Sequence, residues 1–179
     1  MAMEETALLQ HRILFLAGEV GARSANRVIS QLLLLDAQDS TAPIDLYINS
    51  CGGSVGDGLA IIDTMMCIRA PVSTICIGQA MSMGARILAA GARGKRYATP
   101  NAEIMIHLMQ VGVQGDSMDI QISAQRIARQ QARMIDMLAD WTGQTPARVR
   151  EDIDRDYFMT AEEAKAYGLI DEVLEVYEK

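Results

Sequence analysis

Short apolar runs alternate with longer amphipathic stretches along the first half of the chain. Runs at residues 12–17, 44–48 and 72–77 read as strands, and each is followed by a stretch of helical period, at 24–36, 55–68 and 82–90. The order β-α-β-α-β-α is that of an α/β fold with parallel strands, because a parallel pair needs a long crossover and a helix supplies it. Further along, the pattern predicts short strands at 96–98 and 103–107 and a long helix at about 117–141. Short helices and a last strand near 169–173 complete it. No Pro-rich, Gly/Ser-rich or single-sign charge run divides the chain and no solenoid repeat is found, so one continuous domain over residues 1–179 is expected.

Two helices carry more apolar surface than one core uses. Leu32, Leu33, Leu34 and Leu35 are consecutive, and four such positions span about 300° of a helix, so they cannot all face one sheet. Along the long helix Ile120, Ala124, Ile127, Met134, Leu138 and Trp141 fall near heptad spacing, with Gln131 as the polar interruption. That stripe reads either as core or as a surface for a second subunit.

Composition narrows the function classes. Half the chain is apolar (50%), which excludes disorder, yet it holds only two Phe, five Tyr and one Trp against twelve Met. Little aromatic surface is left for stacking on bases or sugars. The formal charge of -7 repels phosphate backbones and anionic lipid, so neither nucleic acid nor membrane is an expected partner. The three cysteines, Cys51, Cys67 and Cys76, form no Cys-x-x-Cys pair and no leader precedes them, which suits a reducing, cytoplasmic setting. No cluster with metal-ligand spacing suggests a metal.

Two strand-to-helix junctions carry the candidate chemistry. In Asn49-Ser50-Cys51-Gly52-Gly53-Ser54-Val55 a glycine pair precedes a helix, a turn that directs backbone N–H groups at a ligand oxygen; the plainer reading is a tight turn with Ser54 as N-cap. The pattern lacks the glycine and lysine spacing of nucleotide-binding loops. In Gly78-Gln79-Ala80-Met81-Ser82-Met83-Gly84-Ala85 a serine opens the next helix. It is either an N-cap or a nucleophile whose developing charge the helix N-terminus favours, in a pattern close to a nucleophile elbow. A nucleophilic serine needs a base, and the chain has two histidines. His11 lies at the entry of the first strand, while His107 ends the apolar strand and is the better general base. An orienting carboxylate is available from Asp152, Asp154 or Asp156, and spacing does not choose among them. Thr160 and Glu163 read as a capping box.

These residues, with Tyr47-Ile48-Asn49-Ser50, Gly91-Ala92-Arg93-Gly94-Lys95-Arg96-Tyr97, Pro100-Asn101-Ala102, Met105-Ile106-His107, Thr142-Gly143-Gln144 and Asp154-Arg155-Asp156-Tyr157-Phe158-Met159, resemble the ClpP family of Clp protease subunits, colinearly from about Leu8 to Val173. The resemblance implies the ClpP/crotonase fold, a head of repeated β-α units with a strand and long-helix handle at about 108–141. It implies Ser82 as nucleophile, His107 as general base, Asp156 as the orienting carboxylate, and the backbone N–H groups of Gly53 and Met83 as the oxyanion hole. It further implies a self-compartmentalising serine endopeptidase of two stacked heptameric rings. A AAA+ unfoldase of the ClpX, ClpA or ClpC type would feed it unfolded polypeptide and use the ATP, so this subunit needs no cofactor. Arg155 would pair with Asp116 or Asp119 between rings, unless those acids serve their own helix N-terminus.

The chain departs from the family pattern beside the site. Cys51 stands where the family usually has Pro, and Leu108-Met109-Gln110-Val111-Gly112 follows the histidine in place of Gln-Pro-Leu-Gly-Gly. Losing the Pro loosens the turn, and Val111 stiffens the segment along which a substrate would pair. Cys51 is read either as a buried inert thiol or as a site of thiol sensitivity. The alternative is therefore a weakly active or structural ring subunit that requires a second proteolytic paralogue. A crotonase-type acyl-CoA enzyme would share the turn without needing the Ser-His-Asp set. A signal-peptide peptidase of related fold would use a Ser-Lys pair and an anchor.

Overall fold

A parallel sheet forks at its third strand, and the fork is what builds the site. The computed structural model describes residues 3–176. Its elements in chain order are α1 (Met3–Gln10), β1 (Ile13–Val20), α2 (Ala22–Gln38), β2 (Ile44–Gly53), α3 (Val55–Cys67), β3 (Val72–Met81), α4 (Met83–Ala89), β4 (Arg96–Ala98), β5 (Glu103–Ile106), α5 (Ser117–Thr142), α6 (Pro146–Asp152), β6 (Tyr157–Thr160), α7 (Ala161–Tyr167) and β7 (Glu172–Val173). Strands β1, β2, β3, β4 and β7 lie side by side in parallel. The first part of β3, Thr74 to Cys76, pairs with β4, whereas its last part, Gln79 to Met81, pairs with β5. Strand β5 then pairs antiparallel with β6.

The bend that permits the fork runs across three strands at one level. Register shifts fall between Ala17 and Glu19 of β1 and between Ile48 and Ser50 of β2, and both Gly18 and Gly78 have positive φ, 76° and 75°. A side chain at Gly78 would press on the Asn49 amide. Each bulge turns its strand, so the strand ends splay and leave a notch above the sheet.

The core is aliphatic, as the sparse aromatic content requires. Leu14, Leu16, Leu46, Ile48, Ile61, Ile62, Ile87 and Leu88 are at most 1% exposed. The leucine run divides as the helical angle dictates: Leu32 and Leu35 are buried, while Leu33 and Leu34 are 53% and 46% exposed. Helix α5 divides along its length instead. Met134, Ile135 and Leu138 are in the core, and Met118, Ile120 and Ile122 are exposed. At 26 residues the helix is about 39 Å long, and it packs on α6 and α4. It ends at Gly143, whose φ of 75° is the left-handed C-terminal cap.

Several expectations need correction. Strands β2 and β3 run on to Gly53 and Met81, through segments expected to be turns. Helix α1 and strand β6 were not legible: α1 has no clear apolar stripe, and β6 is only four residues long. The strand expected at the start of the handle is absent. Residues 107–116 form no strand, because none of the described strands lies beside them and a ladder needs a neighbour. Among the described residues, no helix is long and apolar enough to cross a membrane.

Candidate active site

The glycine turn at the end of β2 is built as its sequence implies. Gly52 and Gly53 both take positive φ, 92° and 146°, a succession open only to glycine. A Cβ on Gly52 would lie 2.7 Å from Met81 O, 2.7 Å from Ser82 Cβ and 3.1 Å from Met83 N, and one on Gly53 would overlap the Val20 carbonyl. The two strand-to-helix junctions therefore touch. Ser50, fully buried, fixes the turn: its hydroxyl donates to Gly18 O at 2.6 Å and accepts from Gly52 N at 3.1 Å. Ser54 is the N-cap of α3 and accepts from Asp57 N. The capping reading of this turn is thus met by Ser54.

Ser82 is not a capping serine in action. It occupies the N-cap position of α4, but its side chain makes no cap bond, and its φ of 53° with ψ of -114° is strained for a residue with a side chain. Such backbone costs on the order of 1–3 kcal/mol and survives only where its surroundings over-determine it. Here the Ser82 N–H donates to Met105 O of β5 at 2.8 Å, and its carbonyl accepts from Arg86 N at 3.3 Å. The hydroxyl is left to meet His107 Nε2 at 2.8 Å.

His107 follows β5 directly, so the pairing of Met81 with Met105 at the fork sets its distance from Ser82. On its other side Nδ1 lies 3.2 Å from Asp156 Oδ1. A carboxylate there favours the proton on Nδ1, which leaves Nε2 free to accept from the serine hydroxyl. The three candidate aspartates are separated by their partners. Asp152 is taken by Arg148 Nε at 2.7 Å and by the Tyr167 hydroxyl at 3.0 Å. Burial, then that hydrogen bond, pushes the Tyr167 hydroxyl well above its ordinary value. Asp154 pairs with Arg155 in solvent. Asp156 alone reaches the imidazole, with its carboxylate 54% exposed. His11 is exposed in the turn after α1.

Between these groups lies a cleft of about 220 Å³, lined among others by Gly53, Ser82, Met83 and His107. Its apolar wall is thioether-rich, from Met105, Met109 and Met134, side chains that adapt to varied shapes. Met83 itself buries its side chain over Gly58 of α3, where a Cβ would collide with it. A larger concavity, of about 760 Å³, lies between β1 and α2 around Glu19, Arg23 and Ser24. The Ser24 hydroxyl there is committed to Glu19 O and Gly21 O, so it is not an available nucleophile.

Cys51 lines the cleft and is exposed, contrary to the buried reading, and Cys76 is the buried thiol, pushed up to about 12 by burial. Asp116 caps α5, accepting from Met118 N and Asp119 N at 2.9 Å. Among the described residues Arg155 pairs with Asp154 and not with Asp116 or Asp119. Three residues that matter to the geometry escaped the sequence reading. Ser50 and Gly58 look like ordinary strand and helix residues, and Arg86 stands out only as a charge in an apolar window. Gln131 had a signal, the break in the α5 stripe, and its role is now visible: its Oε1 accepts the Met109 N–H at 3.0 Å and ties down the segment after His107. No group of three or more potential metal ligands occurs among the described residues.

A strained serine at a helix start, an imidazole on its hydroxyl, a carboxylate on the imidazole and a paired-glycine turn beside it form an arrangement suited to acyl transfer. The family model described as Clp protease matches residues 2–177, nearly the whole chain. The chain therefore belongs to the Clp protease family, a family of peptidases.

Proposed function

We propose that this protein is a serine endopeptidase subunit of an ATP-dependent Clp protease. The observation that carries the reading is Ser82, held at a φ of 53° with its hydroxyl 2.8 Å from His107 Nε2. Ser82 Oγ attacks the peptide carbonyl while His107 takes its proton, and Asp156 holds the imidazole and offsets the positive charge it gains. The N–H groups of Gly53 and Met83 stabilise the tetrahedral oxyanion, worth roughly 3 kcal/mol per donor. His107 then protonates the leaving amine, and a water it activates hydrolyses the acyl-enzyme.

The cleft suits an extended chain rather than a folded domain, which fits unfolded polypeptide as substrate. Ring assembly accounts for the exposed Leu33 and Leu34 of α2, Met66 of α3, and Met118, Ile120 and Ile122 of α5. In this reading the active form is two stacked heptameric rings in the cytoplasm. The unfoldase, of the ClpX, ClpA or ClpC type, binds and hydrolyses the ATP. Arg155, 89% exposed, is available for pairing across rings.

The test is hydrolysis of a fluorogenic peptide and of a casein-like unfolded protein by wild type and Ser82→Ala, alone and mixed with a second proteolytic subunit. Wild type is expected to cleave and Ser82→Ala to fall by about 10³-fold or more. A Ser82→Ala protein as fast as wild type removes the site assignment, and a wild type inert in every mixture removes the enzyme reading.

A further inference from the structure

Arg86 is nearly absent from solvent, 3% exposed, in the last turn of α4 directly beneath the cleft. Its guanidinium reaches two backbone carbonyls: Nη1 donates to Ser82 O at 3.2 Å and Nη2 donates to His107 O at 2.8 Å. Those are the peptides of the nucleophile and the base, which come from different elements, α4 and the end of β5. Its Nε is buried and has no partner among the described residues, and no ion pair to Arg86 occurs among them either.

A buried cation served only by two carbonyls is costly, and an apolar side chain of similar volume would fill the same space more cheaply. Burial draws the guanidinium down to about 10, which still leaves it charged at neutral pH. A fold that retains such a group puts it to use, and perturbed charges of this kind concentrate at functional sites. Here the use is geometric. Ser82 carries strained backbone, and a strained residue needs fixed bonds on both sides. Its N–H is held by Met105 and its carbonyl by the Arg86 N–H and the Arg86 side chain. The same fork of donors fixes the peptide of His107, whose following residue, Leu108, donates to Ile153 O at 2.8 Å.

Resting on the peptidase reading above, we propose that Arg86 is a positioning residue that locks the Ser82 and His107 backbones to each other. His107 has several neighbours. Ser82 and Arg86 face it from the α4 side, Asp156 from the turn before β6, and Cys51 lies across the cleft on β2. Asp154 and Arg155 border its outer groove. Of these groups, Arg86 is bonded to the backbones of both Ser82 and His107.

The test uses the fact that His11 and His107 are the only histidines. Protein labelled with carbon-13 at histidine Cε1 gives two ring signals, assigned with His11→Gln. Arg86→Met is expected to shift and broaden the His107 ring signal, because the imidazole is no longer carried on a fixed backbone. It is also expected to lower kcat by about tenfold with KM nearly unchanged, because only the reacting groups are misplaced. Arg86→Lys retains the charge but not the two-carbonyl fork, so the His107 signal stays displaced and kcat remains reduced. If Arg86→Met does not fold, Arg86→Gln removes the charge with a polar side chain and is read in the same way. A His107 ring signal unchanged in Arg86→Met overturns the proposal, as does an Arg86→Lys protein with full kcat. The ring signal needs no turnover, so it remains readable even if Ser82→Ala shows that the peptidase reading is wrong.

Discussion

A methyl group added at Gly52 tests the contact between the two junctions without replacing any reacting side chain. The residue sits at a φ of 92°, and the new Cβ would lie 2.7 Å from Met81 O, 2.7 Å from Ser82 Cβ and 3.1 Å from Met83 N. The first and last are main-chain atoms and Ser82 Cβ is bonded to one, so no rotamer change relieves the overlap. The backbone of the β2 turn or of the α4 start must move by several tenths of an ångström. Forcing a side chain to positive φ costs roughly 1–3 kcal/mol, and a further 1 kcal/mol or so of overlap brings the loss to about 2–4 kcal/mol. For a chain of this size that is about 5–15 °C in Tm. Displacing one oxyanion donor lowers kcat by about 10²–10³-fold, and misplacement of Ser82 adds to it. Peptidase kinetics and thermal unfolding of Gly52→Ala measure both quantities. The control is Gly56→Ala in α3, where a Cβ meets nothing within 4 Å; it should leave activity unchanged and raise stability by about 0.5–1 kcal/mol. A Gly52→Ala protein with kcat/KM within about threefold of wild type would refute the reasoning, because no oxyanion donor could then have moved appreciably.

Two further outcomes are expected. Alkylation of Cys51, exposed on the cleft wall, should block peptide hydrolysis in proportion to the bulk of the adduct, and Cys51→Ala should be insensitive to the same reagent; full activity after complete Cys51 modification would place the thiol outside the substrate path. At the far end of the sheet, Arg96 is 6% exposed and its guanidinium binds Asp171 at 2.6 Å together with Trp141 O and Gly168 O. Burial alone would raise the Asp171 carboxyl, but the Arg96 hydrogen bonds and charge outweigh it and hold it below the ordinary 3.8. A carboxyl lowered on folding contributes stability that is fully present above its unfolded value and is lost as pH falls through the folded one. Asp171→Asn should therefore cost about 3 kcal/mol in denaturant unfolding at pH 7, and the difference from wild type should shrink below about pH 4.

The sequence was most informative where backbone rules are strict. Consecutive glycines after a strand, a serine opening a helix and a histidine ending an apolar strand each have few structural solutions, and all three lie in one cleft. Asp156 was another matter, because three aspartates within five residues differ only in what the fold puts beside them. Arg148 and Tyr167 take Asp152, and both approach from helices that spacing cannot orient. The fork at β3 left no mark because a strand shared by two neighbours is as apolar as any buried strand. Arg86 read as an argument against a membrane span, since nothing in a linear sequence distinguishes a solvated arginine from one bonded to two carbonyls. The handle strand was expected from resemblance alone, and residues 107–116 have no strand beside them within one chain.

The central claim is that Ser82 is an activated nucleophile, and covalent trapping tests it most directly. Wild-type protein, incubated with a fluorophosphonate and digested, should carry a single adduct on the peptide containing Ser82, formed at a rate that falls as pH drops and His107 is protonated. His107→Ala should slow adduct formation by about 10²-fold or more. An adduct on another serine, or none on a protein that hydrolyses peptides, would contradict the account.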